Sequence, residues 1–493
     1  MAVVIAIDAG TTGVRALAVG EDSAPRAWSY REFPQHFPRP GWVEHDPDDI
    51  WDAVVTTTAE VIGAVPEPVV AVGVTVQRET VVAWDRRTGR PRHRAIVWQD
   101  RRTASRCDAL REAGHLPFVR DRTGLVLDPY FSASKLEWLL TEGGLEADPD
   151  LAVGTVDSWV VWNLTGGAVH ATDPSNASRT LLFDIGAGRW CEELCDLFGV
   201  PPGALPELGP SSGRVGLTAD STPFAAGVPV SGIAGDQQAA LFGQACFEPG
   251  MVKATHGTGS FVLVNAGADC PAAAEGLLTT VAWALADGTT AYAVEGSVFV
   301  TGAAIGWLRD GLGLVADVAE VGPLAESVPS SDGVCLVPAF TGLGSPWWDP
   351  WARGAVVGLT RGTGRAHLAR AAVEAIAHQT RDVVDAMVAA TGRRPSVLRV
   401  DGGASAMDLL LQLQADQLGV PVARPAVTET TAMGAAWLAG LGEGVWSSLD
   451  ELAASWRPER EVEPRTPRSV ADGRHRDWLR AVDRARGWAR AED

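Results

Sequence analysis

Lysine is almost missing from this 493-residue chain: Lys135 and Lys253 are the only two, and neither stands in the G-x-x-x-x-G-K-[ST] pattern of a P-loop. Any nucleotide bound here is held by other means. Basic residues as a whole are outnumbered, 41 Lys and Arg against 61 Asp and Glu, for a net charge of −20. That balance repels phosphate backbones and anionic lipid surfaces, so nucleic-acid binding is excluded as a main activity and an anionic ligand has to be met by local groups. No run of 18 uncharged apolar residues occurs, so no membrane span is expected. The opening Met1-Ala-Val-Val-Ile-Ala-Ile-Asp8 lacks a basic lead and reaches a carboxylate too early for a secretory leader. The six cysteines include no C-x-x-C pair and no zinc-type spacing with histidine, which predicts reduced core thiols in a cytoplasmic protein.

What is present is the composition of a folded protein. Apolar residues make up 46% and charged residues 21%, enough for a sizeable core and far from the balance of disorder. With 54 Gly and 31 Pro, together 85 of 493 residues, the chain is rich in loops yet below the share that marks low-complexity sequence. The length favours two domains. Short β-branched runs bounded by glycine, at Val3–Ile7, Val69–Val76, Ile96–Val97, Val228–Ile233, Val262–Val264 and Val397–Val400, alternate with helical patterns at 366–387 and 407–418. This alternation predicts an α/β fold with substantial parallel sheet. Two segments half the chain apart, Ile5 to Ala18 and Val252 to Val264, repeat one plan: a β-run, a Gly/Thr-rich reversal and a second β-run. They predict two related lobes facing each other, over residues 1–245 and 246–493, although two unrelated hairpins sharing glycine would read the same way. The charged, Pro-rich stretch 456–474 is expected to wrap the surface, and Trp478, Leu479, Val482 and Ala485 then share one face of a docking helix.

Candidate chemistry concentrates where strands end in glycine. Asp8 and Gly10 lead into Thr11, Thr12 and Gly13, and Gly257-Thr258-Gly259 offers the same donors from the second half. Glycine lets backbone N–H groups approach a ligand and threonine adds hydroxyls. Two such turns converging on one cleft hold phosphates without a P-loop; singly, each is also an ordinary tight hairpin. Asp8 suits Mg²⁺, which takes one or two carboxylates plus phosphate oxygens and water, or it caps its own turn. Val228 to Phe242 reads as a buried strand, a turn and a helix beginning near Asp236, which is either the helix N-cap or a base facing the cleft. Arg78 and Glu79 supply the donor and acceptor that a polyol hydroxyl needs. Neighbours on a regular strand point to opposite faces, so both reach one ligand only if the strand has ended there; otherwise they are a surface ion pair. Trp98, Tyr130 and Phe261 each adjoin a polar motif, and either enclose a small ligand or belong to the core. Asp401-Gly-Gly-Ala404 is a further strand–glycine–helix junction, fit for a nucleotide or for close packing. His256 reads as packing or hydrogen bonding.

Long unusual strings occur in order along the chain: Phe37-Pro-Arg-Pro-Gly-Trp-Val-Glu-His-Asp-Pro47, Gln77-Arg-Glu-Thr80, Ile96-Val-Trp-Gln-Asp-Arg-Arg-Thr103, Asp128-Pro-Tyr-Phe-Ser132 and Ser231-Gly-Ile-Ala-Gly-Asp-Gln-Gln-Ala-Ala-Leu-Phe-Gly243. By these strings the chain, from Ile5 to about Leu452, resembles the FGGY carbohydrate kinases; two family-wide stretches also look present, Tyr130 to Glu142 with Lys135 and Trp138, and Gly354 to Glu374. The resemblance implies two actin-like (ribonuclease H-like) ATPase lobes with nucleotide and substrate in the cleft between them. It implies ATP and Mg²⁺, and phosphoryl transfer to glycerol, giving sn-glycerol 3-phosphate, or to another small polyol or ketose. Asp236 is then the general base. Arg78, Glu79, Trp98, Tyr130, Asp236, Gln237 and Phe261 surround the polyol. Thr11, Thr12, Gly13, Arg15, Gly257, Thr258, Gly302, Gly306, Gly403 and Met407 surround the nucleotide, with Asp8 near magnesium. The same analogy implies a homodimer. An ATP-driven conformational module built on the same lobes would not need the polyol-facing set. The chain departs from the glycerol-active members at Gly306, where Gln is usual, at Met407, where Asn is usual, and at Gly13, often Ser. The first two changes remove polar contacts beside the base. Residues between Thr222 and Val228 lack a Gly-rich, Arg-bearing loop, and no histidine lies between His170 and His256, so neither sugar-bisphosphate inhibition nor histidine phosphorylation is expected.

Overall fold

The structure, a computed structural model, describes residues 2–490. Its frame is a pair of large sheets. The first contains β1 (Val3–Ala9), β2 (Gly13–Gly20), β3 (Pro25–Glu32), β4 (Val69–Val76), β5 (Ser212–Leu217) and β6 (Pro229–Gly235), in the order β5-β6-β4-β1-β2-β3. The second contains β7 (Val252–His256), β8 (Ser260–Gly267), β9 (Leu278–Ala284), β10 (Thr290–Val298), β11 (Leu398–Asp401), β12 (Val422–Pro425) and β13 (Pro458–Val462), in the order β9-β10-β8-β7-β11-β12-β13. β1 pairs antiparallel with β2 and parallel with β4, which is parallel to β6. β7 pairs antiparallel with β8 and parallel with β11, itself parallel to β12. Antiparallel strands complete both flanks, β3 and β5 in the first sheet, β10 and β13 in the second. Six strands of each sheet therefore correspond one to one, β9 being the addition, and the repeated hairpin of the sequence is one part of a repeated sheet.

The apolar runs behave as parallel-sheet interiors do, covered on both faces: Val3 to Ile7 are at most 1% exposed. The helices around the sheets include α1 (Asp236–Gly243), α2 (Gly302–Asp310), α3 (Arg365–Thr391), α4 (Asp408–Leu418), α5 (Thr430–Gly442) and α6 (Arg468–Ala485). α1 follows β6 and α5 follows β12, the corresponding places in the two halves. They cross with almost no space between their backbones: a Cβ at Gly243 would run into the Thr430 carbonyl, and one at Gly434 into the Ala239 carbonyl. α5 also lies against the first sheet, where Gly73 faces Ala435 and Gly232 faces Ala439. One apolar cluster accordingly joins Val4, Ala6 and Leu17, Ala239 and Phe242, Ala435 and Trp437, and Leu263 and Trp283. A smaller sheet of Glu44–His45, Ala95–Ile96, Val81–Asp85 and Leu151–Thr155 is added to the first half.

Two expectations need correction. The stretch 456–474 does not merely wrap the surface: Pro458–Val462 is the edge strand β13, paired in register Val422↔Val462, and α6 starts at Arg468. Its Glu and Arg side chains face solvent because a charged edge discourages further strand pairing. The thiols are free, but only Cys107, Cys191, Cys195 and Cys246 are buried; Cys335 is half-buried and Cys270 exposed, on the loop that leads from β8 to β9. α6 docks as its pattern predicts, with Trp478, Val482 and Ala485 buried and Leu479 packed beside them.

Candidate active site

The parallel strands of the first sheet end together, which in open α/β sheets is where ligands lie. At the end of β1, the turn to β2 is closed by Gly10 N–H donating to the Gly13 carbonyl at 3.0 Å, with Thr11 and Thr12 at its tip. A Cβ at Gly13 would strike the Arg31 carbonyl and the Tyr30 ring, so only glycine fits there. Arg15, just past the turn, forms an ion pair with Glu429, the residue before α5, and lies over the Trp28 and Tyr30 rings.

At the end of β4 the chain reverses at once. Glu79 has φ of +62° and Thr80 N–H donates to the Arg78 carbonyl at 2.8 Å. Left-handed backbone at a glutamate is a strained conformation of the kind that clusters at functional sites. Here it meets the condition for Arg78 and Glu79 to face one place. Arg78 Nη1 and Nη2 donate to Glu295 at 2.5 and 3.1 Å, and Nη2 lies 3.3 Å from the Tyr130 hydroxyl. Its Nε is 3.3 Å from Asp236 Oδ1 and 3.7 Å from Glu79 Oε1. Arg179 completes the set, donating to Glu79 at 2.7 Å and to Glu295 at 2.9 Å. In this network the other carboxylates and both guanidinium groups are at most 2% exposed, whereas the Asp236 side chain is 30% exposed.

Asp236 is the first residue of α1, after Gly235 at the cap position, and accepts its neighbour's N–H, from Gln237, at 2.7 Å. It is therefore not the N-cap, and its carboxylate remains directed at the Arg78 group. Gln237 accepts from Lys253 Nζ at 2.5 Å. Trp98 and Tyr130 meet edge to face with ring centroids 5.6 Å apart, and the Phe261 ring lies 5.7 Å from the Arg78 guanidinium. Phe261 from β8 and Tyr130 from a loop of the first half thus reach the same guanidinium, and Trp98, from a second loop, joins them through Tyr130.

The second turn joins β7 to β8. α2 begins against it: Thr301 and Ala303 N–H donate to the Thr258 carbonyl and Gly302 N–H to that of Gly257. A Cβ at Gly302 would lie 2.6 Å from the Gly257 oxygen. His256 is buried, bonded to Ser260 at 2.7 Å and to Gln414 at 2.9 Å, and its pKa is pulled down to about 4 by burial; it supports the turn as a neutral ring. Asp401 is buried and taken up by Gln244 and Thr430, so this junction presents Gly403, beside which a Cβ would meet nothing within 4 Å. Met407 packs in the apolar cluster of Ile305 and Leu308, which brackets Gly306.

Charge in the site is set by burial against pairing. Burial alone would raise Glu295, but Arg179 and Arg78 outweigh it and hold the carboxyl at about 2. Glu79 is pushed upward by burial in spite of Arg78 and Arg179. Asp8, at the end of β1, is pushed up to about 7, first by burial and then by Asp236. Asp8 has a carboxylate neighbour in Asp236, and one or two carboxylates are what Mg²⁺ takes beside phosphate oxygens and water; among the described residues no group of three or more His, Cys, Asp or Glu side chains could hold a metal ion. A recess of about 440 Å³ lined by Pro117, Arg120, Asp121 and Cys270 contains none of these groups and offers no convergent donors and base.

Sequence reasoning misses Glu295, Arg179 and Lys253. The available signal is a lone charge inside the apolar strand Tyr292-Ala-Val-Glu-Gly-Ser-Val298, which has to find a partner.

Residues 3–243 match the FGGY family of carbohydrate kinases, N-terminal domain, and residues 252–443 its C-terminal domain. A protein of Aromatoleum aromaticum named glycerol kinase is 54% identical over 100% of both chains, and one of the same name from Bordetella parapertussis is 52% identical over 99% of this chain and 98% of its own. The crystal structure of Plasmodium falciparum glycerol kinase with ADP superposes with a TM-score of 0.93 at 32% identity, covering 98% of each chain. A ligand-bound xylulose kinase from Lactobacillus acidophilus, at 20% identity and a TM-score of 0.88, shares the fold.

Proposed function

The chain belongs to the FGGY family of carbohydrate kinases, and from that premise we propose that Asp236 is the general base in the phosphorylation of glycerol by ATP to sn-glycerol 3-phosphate. The phosphotransfer itself follows from full-length relatives at about half identity, both named for that activity. One observation carries the choice of Asp236: within the buried Arg78–Glu79–Glu295–Arg179 network it is the carboxylate left exposed to a ligand, 30% against 2% or less.

In this reading Arg78 donates to, and Glu79 accepts from, the glycerol hydroxyls, while Trp98 and Phe261 cover the carbon skeleton and Tyr130 closes the side. Glu295 and Arg179 do not touch the polyol; they hold Arg78 and Glu79 in place. The attacking hydroxyl gives its proton to Asp236 late, in a loose transition state where positioning and charge neutralisation dominate. Thr11, Thr12, Gly257 and Thr258 direct N–H and O–H donors at the phosphates, and Gly302 lets α2 approach them closely. Mg²⁺, held by Asp8 directly or through water, would supply charge neutralisation at the phosphate oxygens. Gly403, Gly306 and the thioether of Met407 form the wall for the base. Closing the halves expels water, which otherwise competes as acceptor.

The test is a coupled ADP-release assay across glycerol, dihydroxyacetone, erythritol and xylulose. The expected result is the highest kcat/KM with glycerol and a loss of about 10²–10⁴-fold in Asp236→Asn, the usual weight of a general base. Full activity in that variant removes the base assignment. ADP release indifferent to every polyol would favour an ATP-driven module instead.

A further inference from the structure

Behind the first phosphate turn, hydrogen bonds form a closed path that runs through a wholly buried histidine. His45 donates from Nε2 to Gln35 Oε1 at 2.7 Å and accepts at Nδ1 from Gln77 Nε2 at 3.2 Å. Both amides continue to the turn: Gln35 Nε2 donates to the Thr11 carbonyl at 2.8 Å and Gln77 Nε2 to the Gly10 carbonyl at 3.2 Å. On its other side Gln77 Oε1 accepts from the Thr80 hydroxyl at 3.0 Å, and that hydroxyl oxygen accepts the Trp98 backbone N–H at 3.2 Å. The Trp98 indole then donates to Thr11 Oγ1 at 2.9 Å and closes the path. The Gln35 side-chain oxygen accepts at Nε2 and the Gln77 amide donates at Nδ1, so the imidazole on this path is neutral with its proton on Nε2. Burial and the neighbouring His36 pull the ring to about 4, which keeps it so.

We propose that His45 is a positioning residue that sets the phosphate turn and the polyol wall together, so that the placement of Thr11 and of Trp98 is one variable. This rests on the reading above, in which Thr11 meets phosphate and Trp98 meets the polyol. Removing the imidazole takes one hydrogen bond from each of two amides, buried Gln77 and half-buried Gln35, and frees both ends of the path. The indole of Trp98, although it faces the polyol, acts on the nucleotide through Thr11 Oγ1.

The test is initial-rate kinetics with each substrate varied. In His45→Met, which fills the space without hydrogen bonding, the KM values for ATP and for glycerol both rise, by about tenfold each, the weight of one buried hydrogen bond. His45→Gln, which keeps one donor and one acceptor, restores both to within about threefold. Trp98→Phe, which keeps the ring and deletes the indole N–H, raises the KM for ATP several-fold. Trp98→Phe also serves if His45→Met fails to fold. Equal impairment of His45→Met and His45→Gln, or an unchanged ATP KM in Trp98→Phe, overturns the coupling. Thr11→Ala separates the two readings: if it leaves the ATP KM unchanged, the site itself is misplaced. If it raises that KM while the His45 and Trp98 variants do not, only the coupling fails.

Discussion

Glu295 is the clearest case of a residue whose role depends on the assembled molecule. It is 0% exposed and shared between Arg78 and Arg179, neither of them more than 2% exposed. Replacing one partner of such a group leaves uncompensated buried charge, so Glu295→Gln is expected to lower unfolding stability by roughly 3–5 kcal/mol and to raise the KM for glycerol, measured by urea unfolding beside steady-state kinetics. Wild-type values in both would dissolve the network as a functional unit. The residues legible in the sequence, Asp8, Thr11, Arg78 and Asp236 among them, share a local mark: each stands at a strand end beside a turn or glycine. Glu295 and Arg179 lack it, because the partner of Glu295 lies 217 residues away and pattern within one segment is silent about charges from another. The facing of Arg78 and Glu79 is conditional in the sequence, and the left-handed backbone at Glu79 decides it.

The helix pair α1 and α5 makes the corresponding point for elements. Gly243 and Gly434 are needed because each backbone occupies the space of the other's missing Cβ. Gly434→Ala is expected to cost about 1–3 kcal/mol through overpacking. Gly63→Ala, in the helix Pro47–Ala64 where a Cβ meets nothing within 4 Å, should be neutral or gain up to ~1 kcal/mol from helix propensity. Thermal unfolding of the two variants checks the contrast, and equal midpoints would refute it. The repeated hairpin is visible in the sequence because both copies keep β-runs around Gly and Thr. The edge strand β13 is not, since charged residues that line the outside of a sheet look like a solvated tail until their neighbour β12 is known.

For the molecule as a whole, burial of histidine sets the acid limit of stability. His45, His170 and His256 are pulled down to about 4 and His378 to about 3, in each case chiefly by burial. The unfolded chain takes up these protons first, near the ordinary pKa of about 6.5, so stability is intact above that pH and is lost as the pH falls towards about 4. Each ring adds about 1.4 kcal/mol per pH unit to the slope. Asp8 and Asp157, pushed up to about 7 and about 6 by burial, act with the opposite sign, as do Glu79, Asp173 and Asp382, which burial also pushes upward. The expected outcome is a lower urea midpoint at pH 5 than at pH 7.5, the rings outweighing the carboxyls, and a higher one would contradict this balance.

Both lysines are sealed inside, Lys135 against the carbonyls of Pro129, Tyr130 and Phe131 and Lys253 against Gln237 and Thr255. The described surface therefore offers no side-chain amine, and acylating labels or amine cross-linkers find no lysine there to modify while the molecule stays shut. Burial eases each ammonium to about 8, and lifting the cover returns it toward its ordinary value of about 10.4, so acylation after opening is slow and quickens with pH. Slow acylation at those two places is thus a clock for local opening beside the Tyr130 loop and beneath the second turn.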